Sequence, residues 1–402
     1  MPEDLVQTLS APAPNVYDAE PIPEAARQAV EQILASGDLF RYTAAGDSPV
    51  TLLERDFAAA MGVRYALAVA SCSAALFLSL KALDLPRGAR VLIPAFTFGA
   101  VPSAVVHADC VPVLAEVGDN FRLDMDDFAA KLDQDIACVL ISHMRGHTSD
   151  MDAILDLAEA RGIPVIEDAA HSLGTLWHGR KIGTLGKIGC FSFQSYKLLN
   201  AGEGGMLITD DPELIARAVI MSGAYEHNWQ KHDGLVAEVV EKWQNRLPLY
   251  NTRLNTLSAA LVRAQLPELP RRVRDGLRNH DYVAERLNRS QWLHVPPCLE
   301  PETRAPDSIQ FSVRGMDEAD TRAFMAAAKA RGVGVSVFGL STDNARAFWN
   351  WQFLGEAPEL PATREMLMRT CDVRLPARLT LPELDVIADA LTGAAAEVMT
   401  GR

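Results

Sequence analysis

Short apolar runs rich in β-forming residues alternate with segments of helical periodicity from about Arg64 to about Met221. This alternation is typical of a parallel sheet whose strands are joined by crossover helices. The sequence therefore predicts an α/β fold with a mostly parallel seven-stranded sheet and flanking helices. The predicted strands are Tyr65–Ala70, Arg90–Ile93, Val111–Val117, Ala137–Ser142, Ile163–Glu167, Ile188–Phe193 and Gly205–Thr209, and the clearest predicted helices are Ser73–Leu83, Asp150–Arg161 and Pro212–Met221.

The chain of 402 residues exceeds the size at which single cores stop growing, so two domains are expected. Residues 1–40 contain a proline-rich arm and a short helix, residues 41–250 are predicted to form a large domain, and residues 251–402 a smaller α+β domain. The last of these has strand candidates at Ser308–Val313 and Val333–Phe338 and ends in an amphipathic helix after Leu381. The aromatic and charged stretch from His227 to Trp243 is interpreted as a substrate loop or an interface.

Charge and composition exclude several classes of function. A formal net charge of −14 opposes binding to nucleic acid or to an anionic membrane. No apolar run is long enough to span a bilayer, and the N-terminus lacks the features of a signal peptide, so a cytoplasmic protein is expected. The six cysteines are scattered singly, which suggests neither a zinc site nor a disulfide framework.

Two of the predicted strands are followed by residues suited to a phosphate and to a planar ring. In an open parallel sheet, ligands bind at the carboxyl ends of the strands. Ser71–Ala75 opens a helix, where free backbone N–H groups and the helix dipole favour an anion, although ordinary helix capping is the alternative. Phe98 offers a flat ring for stacking on a cofactor, although a phenylalanine in the core is the simpler interpretation.

A third strand end carries charged groups, because Asp168 and His171 directly follow a buried strand. A carboxylate beside a pyridine nitrogen keeps that nitrogen protonated, and a protonated ring can absorb the electrons of a carbanion. The alternative is that Asp168 caps a turn and His171 is a partly buried histidine with its hydrogen bonds satisfied.

A fourth strand end carries Lys197, which follows the apolar run Phe191–Phe193. Burial would lower the pKa of this lysine and free its amine to form an imine with an aldehyde cofactor, although a surface lysine is the alternative. The Ser192 hydroxyl could donate to the same phosphate as Ser71–Ala75. Phosphate site, ring clamp, nitrogen partner and imine lysine all follow strands, and together they favour pyridoxal phosphate.

In their order along the chain these motifs resemble the DegT/DnrJ/EryC1/StrS family of aminotransferases, a branch of the fold-type I pyridoxal-phosphate enzymes. The resemblance covers most of the chain. It is carried by Glu54 with Phe57, Ser71–Leu76, Pro94 with Thr97 and Phe98, His143 with Gly146, Asp150–Asp152, Glu167–His171, Phe191–Phe193, Lys197, Gly202–Gly205, Tyr250–Leu254, Ala259–Ala260, Gln265–Leu266, Leu375–Pro376 and Leu379–Thr380.

The resemblance implies a fold-type I transferase in which the large domain, residues 41–250, binds the cofactor. Lys197 would form the Schiff base with pyridoxal 5'-phosphate and shuttle a proton during catalysis. Asp168 would pair with the pyridine nitrogen, Phe98 would stack on the ring, and His171 would lie beside the ring near its phenolic oxygen. Lys197, Asp168 and His171 are the implied catalytic residues.

The resemblance also implies a phosphate site formed by Cys72, Ser73 and Ser192. Asn251 would reach this phosphate from the neighbouring subunit, which implies a homodimer with shared active sites. An amino donor, usually glutamate or glutamine, would convert the cofactor to pyridoxamine 5'-phosphate, which would then aminate a ketone. A nucleotide-linked keto-sugar is the expected acceptor, with a free keto-sugar, a cyclitol or another secondary-metabolite ketone as alternatives.

Some residues depart from the family pattern. Cys72-Ser73 stands where Gly-Thr is common, Arg145 stands where a tyrosine is usual, and Ser336–Gly339 lacks the expected histidine and proline. Arg145 is expected either to pair with a substrate anion or to face solvent. The stretch Trp229–Trp243 is also unlike the family.

Two other functions stay open. The first is a pyridoxal-phosphate enzyme of the same fold that catalyses another reaction, such as an epimerase, a decarboxylase or a lyase. The second is a non-catalytic sensor. The presence of Lys197, Asp168 and Ser192 argues against the sensor, and the lysine also excludes the sugar dehydratases, in which histidine replaces it.

Overall fold

The computed structural model describes residues 12–401. Within them, thirteen α-helices and fourteen strands alternate in the order that an α/β fold requires. The helices are α1 Glu24–Ser36, α2 Pro49–Met61, α3 Cys72–Ala82, α4 Ala100–His107, α5 Met125–Leu132, α6 Met151–Glu159, α7 Pro212–Met221, α8 Ala237–Trp243, α9 Thr256–Gln265, α10 Leu269–Leu287, α11 Glu318–Ala330, α12 Pro361–Arg369 and α13 Leu381–Thr400. The strands are β1 Tyr65–Val69, β2 Arg90–Pro94, β3 Val111–Ala115, β4 Ile136–Ser142, β5 Val165–Asp168, β6 Leu176–Trp177, β7 Arg180–Lys181, β8 Ile188–Ser192, β9 Gly205–Thr209, β10 Leu293–His294, β11 Glu302–Thr303, β12 Ser308–Val313, β13 Ser336–Val337 and β14 Thr370–Arg374.

The largest sheet in the described part of the chain has seven strands in the order β1-β9-β8-β5-β4-β2-β3. β3, β2, β4, β5 and β8 run parallel, and β9 is antiparallel to both β8 and β1. A parallel neighbour needs a long crossover, whereas β8 and β9 are joined by a short loop without a helix. The predicted mostly parallel seven-stranded sheet is confirmed, and its reversed strand follows the loop that carries Lys197.

Both faces of this sheet are buried, and its strands alternate between two hydrophobic clusters. Leu67 and Leu140 belong to the cluster on one face, whereas Val139 and Ile141 belong to the cluster on the other. Successive side chains of a strand point to opposite faces, so a continuous apolar run is what a sheet covered on both sides requires. Helices α3, α4 and α7 contribute to the first cluster, and α2, α5, α6 and α9 to the second.

A four-stranded antiparallel sheet, in the order β10-β12-β14-β13, follows later in the chain. It shares a third hydrophobic cluster with α10, α11 and α13. The predicted strand Ser308–Val313 is present with the same bounds, and the final helix begins at Leu381 as expected. The predicted strand Val333–Phe338 is shorter, because only Ser336 and Val337 pair with β14. None of the helices in residues 12–401 has the length and apolar character needed to cross a bilayer.

The predicted domain limits stay a prediction, and the proline-rich arm lies partly outside the described residues. The short helix expected within the first forty residues is α1. The stretch His227–Trp243 forms a 3-10 turn and α8, and α8 packs against α7. Its role as a substrate loop or an interface also stays a prediction.

A buried ion pair fastens the 3-10 turn after α7 to helix α2. The Arg41 guanidinium donates to both Glu54 oxygens at 2.8 Å, and both side chains are 4% exposed. His232 Nδ1 lies 3.2 Å from Glu54 Oε2, and Arg41 also donates to the Lys231 carbonyl. Burial raises the pKa of Glu54, but the charges of Arg41 and His232 outweigh it and lower that pKa to about 2.

Replacing Glu54 with glutamine leaves Arg41 buried without a counter-charge. We expect the free energy of unfolding of Glu54→Gln to fall by about 3–5 kcal/mol at pH 7, as measured by urea denaturation. Asp47→Asn, which removes an exposed partner of Arg55, is the control and should cost under about 1 kcal/mol. Equal effects of the two substitutions would contradict this interpretation.

The lowered pKa of Glu54 sets the pH range over which this residue contributes to the free energy of unfolding. A carboxyl whose folded pKa is depressed stabilises fully above its unfolded pKa, near 4.5, and loses this effect as pH falls through about 2. The difference in stability between the wild type and Glu54→Gln should therefore narrow below pH 4.

Candidate active site

A cleft of about 560 Å³ opens at the carboxyl ends of the central strands of the large sheet. Its walls come from the loop between β1 and α3, the residues that follow β4, β5 and β8, and parts of the smaller sheet. This position agrees with the expectation for an open α/β sheet. Seven of the eight predicted site residues line the cleft, namely Cys72, Ser73, Phe98, Asp168, His171, Ser192 and Lys197.

The start of α3 forms one end of the cleft. Ser71 is the N-cap, and its side chain accepts from the Ala74 N–H at 3.1 Å. The N–H groups of the first helical residues, Cys72 and Ser73, have no acceptor within a helix and can bind an anion. Gly205 is essential here, since a Cβ on it would lie 2.4 Å from the Ser71 carbonyl carbon. Only glycine therefore lets β9 pair with β1 beside this loop.

Asp168 is the last residue of β5, and only 6% of it is exposed. The Ser142 hydroxyl donates to Oδ2 at 2.9 Å, and the Ala170 N–H donates to Oδ1 at 3.1 Å. The Cys72 thiol donates to Oδ1 at 3.7 Å. These donors are all neutral, so they orient the carboxylate while leaving its charge available to a cationic group in the cleft.

Lys197 lies in the loop between β8 and β9, where a turn bonds its N–H to the Gln194 carbonyl at 2.9 Å. Its amine lies 2.8 Å from Nε2 and 3.2 Å from Nδ1 of His171. Burial lowers the pKa of Lys197 to about 8, and burial together with the Lys197 charge lowers the pKa of His171 well below its ordinary value. Near neutral pH the pair therefore consists of an uncharged imidazole and an amine that readily loses its proton.

Ser192 and Phe98 occupy two further walls of the cleft. The Ser192 hydroxyl lies at the end of β8 and accepts from the Gln194 N–H at 3.3 Å, so its own proton is available to a ligand. Phe98 is 44% exposed, which is unusual for a phenylalanine and leaves part of its ring surface open to a planar ligand. The core interpretation of this ring is therefore wrong.

Asn251 lies outside the cleft lining of its own chain and is exposed. It follows Tyr250, whose ring packs edge-on against Phe77 of α3 at 4.9 Å between centroids. The next residue, Thr252, accepts from the Ala70 N–H at 2.7 Å. Asn251 is thus held near the start of α3, and its predicted reach into a neighbouring subunit stays a prediction.

Arg145 does not face solvent, so that alternative is wrong. It lies in the turn after β4, at a φ of 55° that side-chain-bearing residues rarely adopt. Its guanidinium binds Asp372 of β14 at 2.6 Å, and the two side chains are 10% and 7% exposed. The pair joins the two sheets at the edge of the cleft.

Several residues of the cleft were not predicted from the sequence. Arg346, Asp372 and Arg374 line it, together with Tyr17 and Tyr196. Arg346 lies in an irregular segment between β13 and α12, where no periodic pattern marks which side chains point inward. The one signal in the sequence was that Ser336–Gly339 lacks the histidine and proline of the family pattern. Their absence suggests that a nearby residue, such as Arg346, contacts the ligand instead.

Three comparisons place these observations among known proteins. A model of the DegT/DnrJ/EryC1/StrS aminotransferase family matches residues 21–392. The spore coat polysaccharide biosynthesis protein SpsC of Bacillus subtilis is 33% identical over 277 residues, 68% of this chain and 68% of that protein. A UDP-N-acetyl-3-dehydro-alpha-D-glucosamine 3-aminotransferase of Acidithiobacillus ferrooxidans is 35% identical over 222 residues, 54% of this chain and 56% of that protein.

The fold is similar to solved structures over nearly its whole length. The crystal structure of 3-amino-5-hydroxybenzoic acid synthase aligns with a TM-score of 0.83 at 25% identity, covering 96% of this chain and 100% of that one. The family match spans the seven-stranded and the four-stranded sheet and, apart from Tyr17, every residue of the cleft described above. From its sequence, its fold and its site, this chain belongs to the DegT/DnrJ/EryC1/StrS aminotransferase family, whose members use pyridoxal phosphate.

Proposed function

We propose that this protein transfers an amino group from glutamate or glutamine to a keto-sugar or a related ketone. The observation that carries the proposal is the position of Lys197. Its amine lies within hydrogen-bond distance of His171, in the same cleft as the buried Asp168 carboxylate. A lysine with a lowered pKa beside an uncharged histidine is what a reaction through an amine and a mobile proton requires.

The residues of the cleft fit pyridoxal phosphate. The Cys72 and Ser73 N–H groups and the Ser192 hydroxyl would hold the phosphate, and Gly205 leaves room for the loop that supplies them. Asp168 would pair with the protonated pyridine nitrogen, and the exposed ring of Phe98 would cover the cofactor face. The cleft thus offers a group for each part of the cofactor: hydrogen-bond donors for the phosphate, a carboxylate for the ring nitrogen, an aromatic surface for the ring face and an amine for the aldehyde.

When bound, the cofactor supplies an aldehyde that bonds to amines and a ring that accepts electrons, and it cycles with pyridoxamine 5'-phosphate. Lys197 supplies the amine that holds the cofactor and then, once released, moves a proton at its Nζ. The carboxylate of Asp168 keeps the ring nitrogen protonated. The uncharged His171 accepts a hydrogen bond from Lys197 and so orients the amine toward the cleft.

The names of two relatives bear on the acceptor. One relative is by name a 3-aminotransferase of a UDP-linked 3-dehydro-sugar, and one fold neighbour is by name a synthase of 3-amino-5-hydroxybenzoic acid. We propose that this protein acts on a ketone of this range, with a nucleotide-linked keto-sugar as the leading class. Incubation of the holoenzyme with glutamate or glutamine should convert the bound cofactor from its aldehyde to its amine form, visible in the absorption spectrum. Retention of the aldehyde form with both donors would overturn the proposed reaction.

We also propose a cytoplasmic homodimer with shared sites. Asn251 is exposed and held close to the start of α3, where the phosphate would bind. Asn251 does not line the cleft of its own chain, so its proposed partner is the phosphate in the cleft of a second subunit.

Replacing Lys197 with alanine should remove both the covalent attachment and the proton transfer. Borohydride treatment of the wild-type holoenzyme should link the cofactor to the peptide that contains Lys197, as detected by mass spectrometry. Lys197→Ala should show no such label and should lose more than about 100- to 10,000-fold in turnover, because loss of a general base alone costs that much. The exposed Lys187 is the control, and a label on Lys187 would contradict the assignment.

The attachment should depend on pH with a midpoint set by Lys197. Only the uncharged amine is nucleophilic, so its reactive fraction rises as pH rises through the pKa of about 8. The initial rate of cofactor attachment to the apoenzyme, trapped with borohydride, should be half-maximal near pH 8 rather than near 10.5. A midpoint above about pH 10 would show that the amine is not desolvated.

Replacing Asp168 with asparagine keeps the shape of the side chain and removes its charge. The affinity for the cofactor and the rate of the proton-transfer step should both fall, because breaking a buried charge pair costs about 3–5 kcal/mol. Cofactor affinity is measured by fluorescence titration, and the donor half-reaction by stopped-flow absorbance. Asp156→Asn, on the exposed side of α6, is the control, and equal behaviour of the two variants would refute the role of Asp168.

The proposed sharing of sites predicts complementation between subunits. Lys197→Ala and Asn251→Ala homodimers should both be impaired, whereas mixed dimers contain one site with both native residues and should recover activity. Subunit exchange is followed with differently tagged chains. Failure to recover activity despite proven exchange would show that each site is built from one chain.

A further inference from the structure

Three arginines line the cleft on the side formed by the smaller sheet and the segment before α12. Arg145 comes from the turn after β4, Arg346 from the segment between β13 and α12, and Arg374 from the end of β14. They share the cleft with Lys197 and Asp168. We call these three side chains the arginine wall.

Among the residues that the structure describes, one member of the arginine wall, Arg145, forms an ion pair with a carboxylate. Asp372 binds Arg145 at 2.6 Å, and the Gln310 side chain fixes the other oxygen of Asp372 at 2.7 Å. Arg374 lies over the Tyr196 ring at 4.5 Å and donates to the Tyr196 carbonyl at 3.3 Å. Neither contact with Tyr196 supplies a negative charge to Arg374.

Arg346 contacts aromatic rings. Its guanidinium carbon lies 5.4 Å from the centroid of Phe98 and 5.7 Å from that of Phe338. Within residues 12–401, no carboxylate forms an ion pair with Arg346 or Arg374, and the Nε–H groups of all three arginines are buried without a hydrogen-bond acceptor. The same holds for Nε of the buried Arg272 and Arg304 outside the cleft. Arg346 and Arg374 differ from these because they line the cleft without a carboxylate partner among the described residues, which favours an anionic ligand there.

The charge of the wall reaches the reacting groups. Burial and Lys197 lower the pKa of His171, and Arg145, Arg346 and Arg374 lower it further. Burial and the neighbouring Arg145 also lower the pKa of Arg346, to about 10. An anion bound at the wall would relieve this excess of positive charge.

We propose that Arg346, with Arg145 and Arg374, forms an oxyanion subsite, so that the acceptor as well as the donor bears a carboxylate or a phosphate. This inference rests on the proposed function. Both substrates use the same cleft in turn, and a neutral acceptor would leave the charges of Arg346 and Arg374 without a partner. The planar fork of arginine suits carboxylate and phosphate oxygens alike. Because Arg346 lies over Phe98, the bound group sits beside the ring expected to cover the cofactor.

The test measures binding of small probes to the holoenzyme, in which the cofactor already occupies the phosphate loop. Isothermal calorimetry is carried out with glutarate, with inorganic phosphate and with glucose as an uncharged probe. At least one anion should bind to the wild type and glucose should not. Binding of glutarate alone assigns the subsite to carboxylates, and binding of phosphate alone assigns it to phosphates.

Arg346→Gln should weaken binding of that anion by about 10- to 100-fold, which corresponds to loss of charged hydrogen bonds. Arg346→Lys keeps the positive charge but loses the planar guanidinium, so its affinity for the anion should lie between those of the wild type and Arg346→Gln. Arg364→Gln is the matched control, because Arg364 stacks on Trp349 at 4.3 Å outside the cleft lining. Unchanged anion binding in Arg346→Gln, or no anion binding to the wild type at millimolar concentration, would overturn the inference.

Borohydride labelling of each variant separates this inference from the proposed function. If borohydride labels Lys197 but anion binding is the same in the wild type and in the Arg346 variants, the subsite is refuted and the proposed reaction stands. Absence of a label on Lys197 in the wild type refutes the reaction itself. Circular dichroism of Arg346→Gln and Arg346→Lys shows that both variants are folded before binding is compared.

Discussion

The carboxylate of Asp168 is the point at which three strand ends of the large sheet meet. Ser142 at the end of β4 and Cys72 after β1 both donate to it, and Asp168 itself ends β5. A buried charge held by neutral donors is unfavourable unless a cation joins it. The sheet therefore contains a fixed negative charge that a protonated ring nitrogen can neutralise, and the other cleft residues surround this point.

Much of the fold could be predicted because one physical rule governs it. Strands covered on both faces must be apolar throughout, and this gave the seven strands of the large sheet nearly to the residue, as in the predicted Gly205–Thr209. Residues just after these strands must then meet at one edge of the sheet. For this reason the sequence predicted that Asp168, His171, Ser192 and Lys197 lie together, as they do in the cleft.

The arginine wall could not be predicted in the same way. Arg346 belongs to a segment of 3-10 turns and irregular backbone between β13 and α12, whose shape is set by packing on the large sheet. Arg374 ends a strand of the smaller sheet, and its distance from Lys197 depends on how the two sheets meet. Sequence periodicity describes one element at a time, so it contains no information about contacts between sheets. The position of Asn251 relative to the phosphate site could not be predicted from periodicity either, because its predicted contact lies between two chains.

The arginine wall also resolves an apparent conflict between the charge of the chain and its proposed substrates. A net charge of −14 repels anions at long range, yet an amino-acid donor and a phosphorylated or carboxylated acceptor are anionic. Salt screens charges over about 8 Å at physiological ionic strength, so the repulsion between the remote acidic surface and an anionic substrate is small by the time the substrate enters the cleft. Inside it, Arg346 and Arg374 lie in a partly desolvated site where the field of a charge is stronger than in water. With the proposed subsite, local charge at the reacting position outweighs the sign of the whole molecule, and the selectivity for anions is set by the cleft.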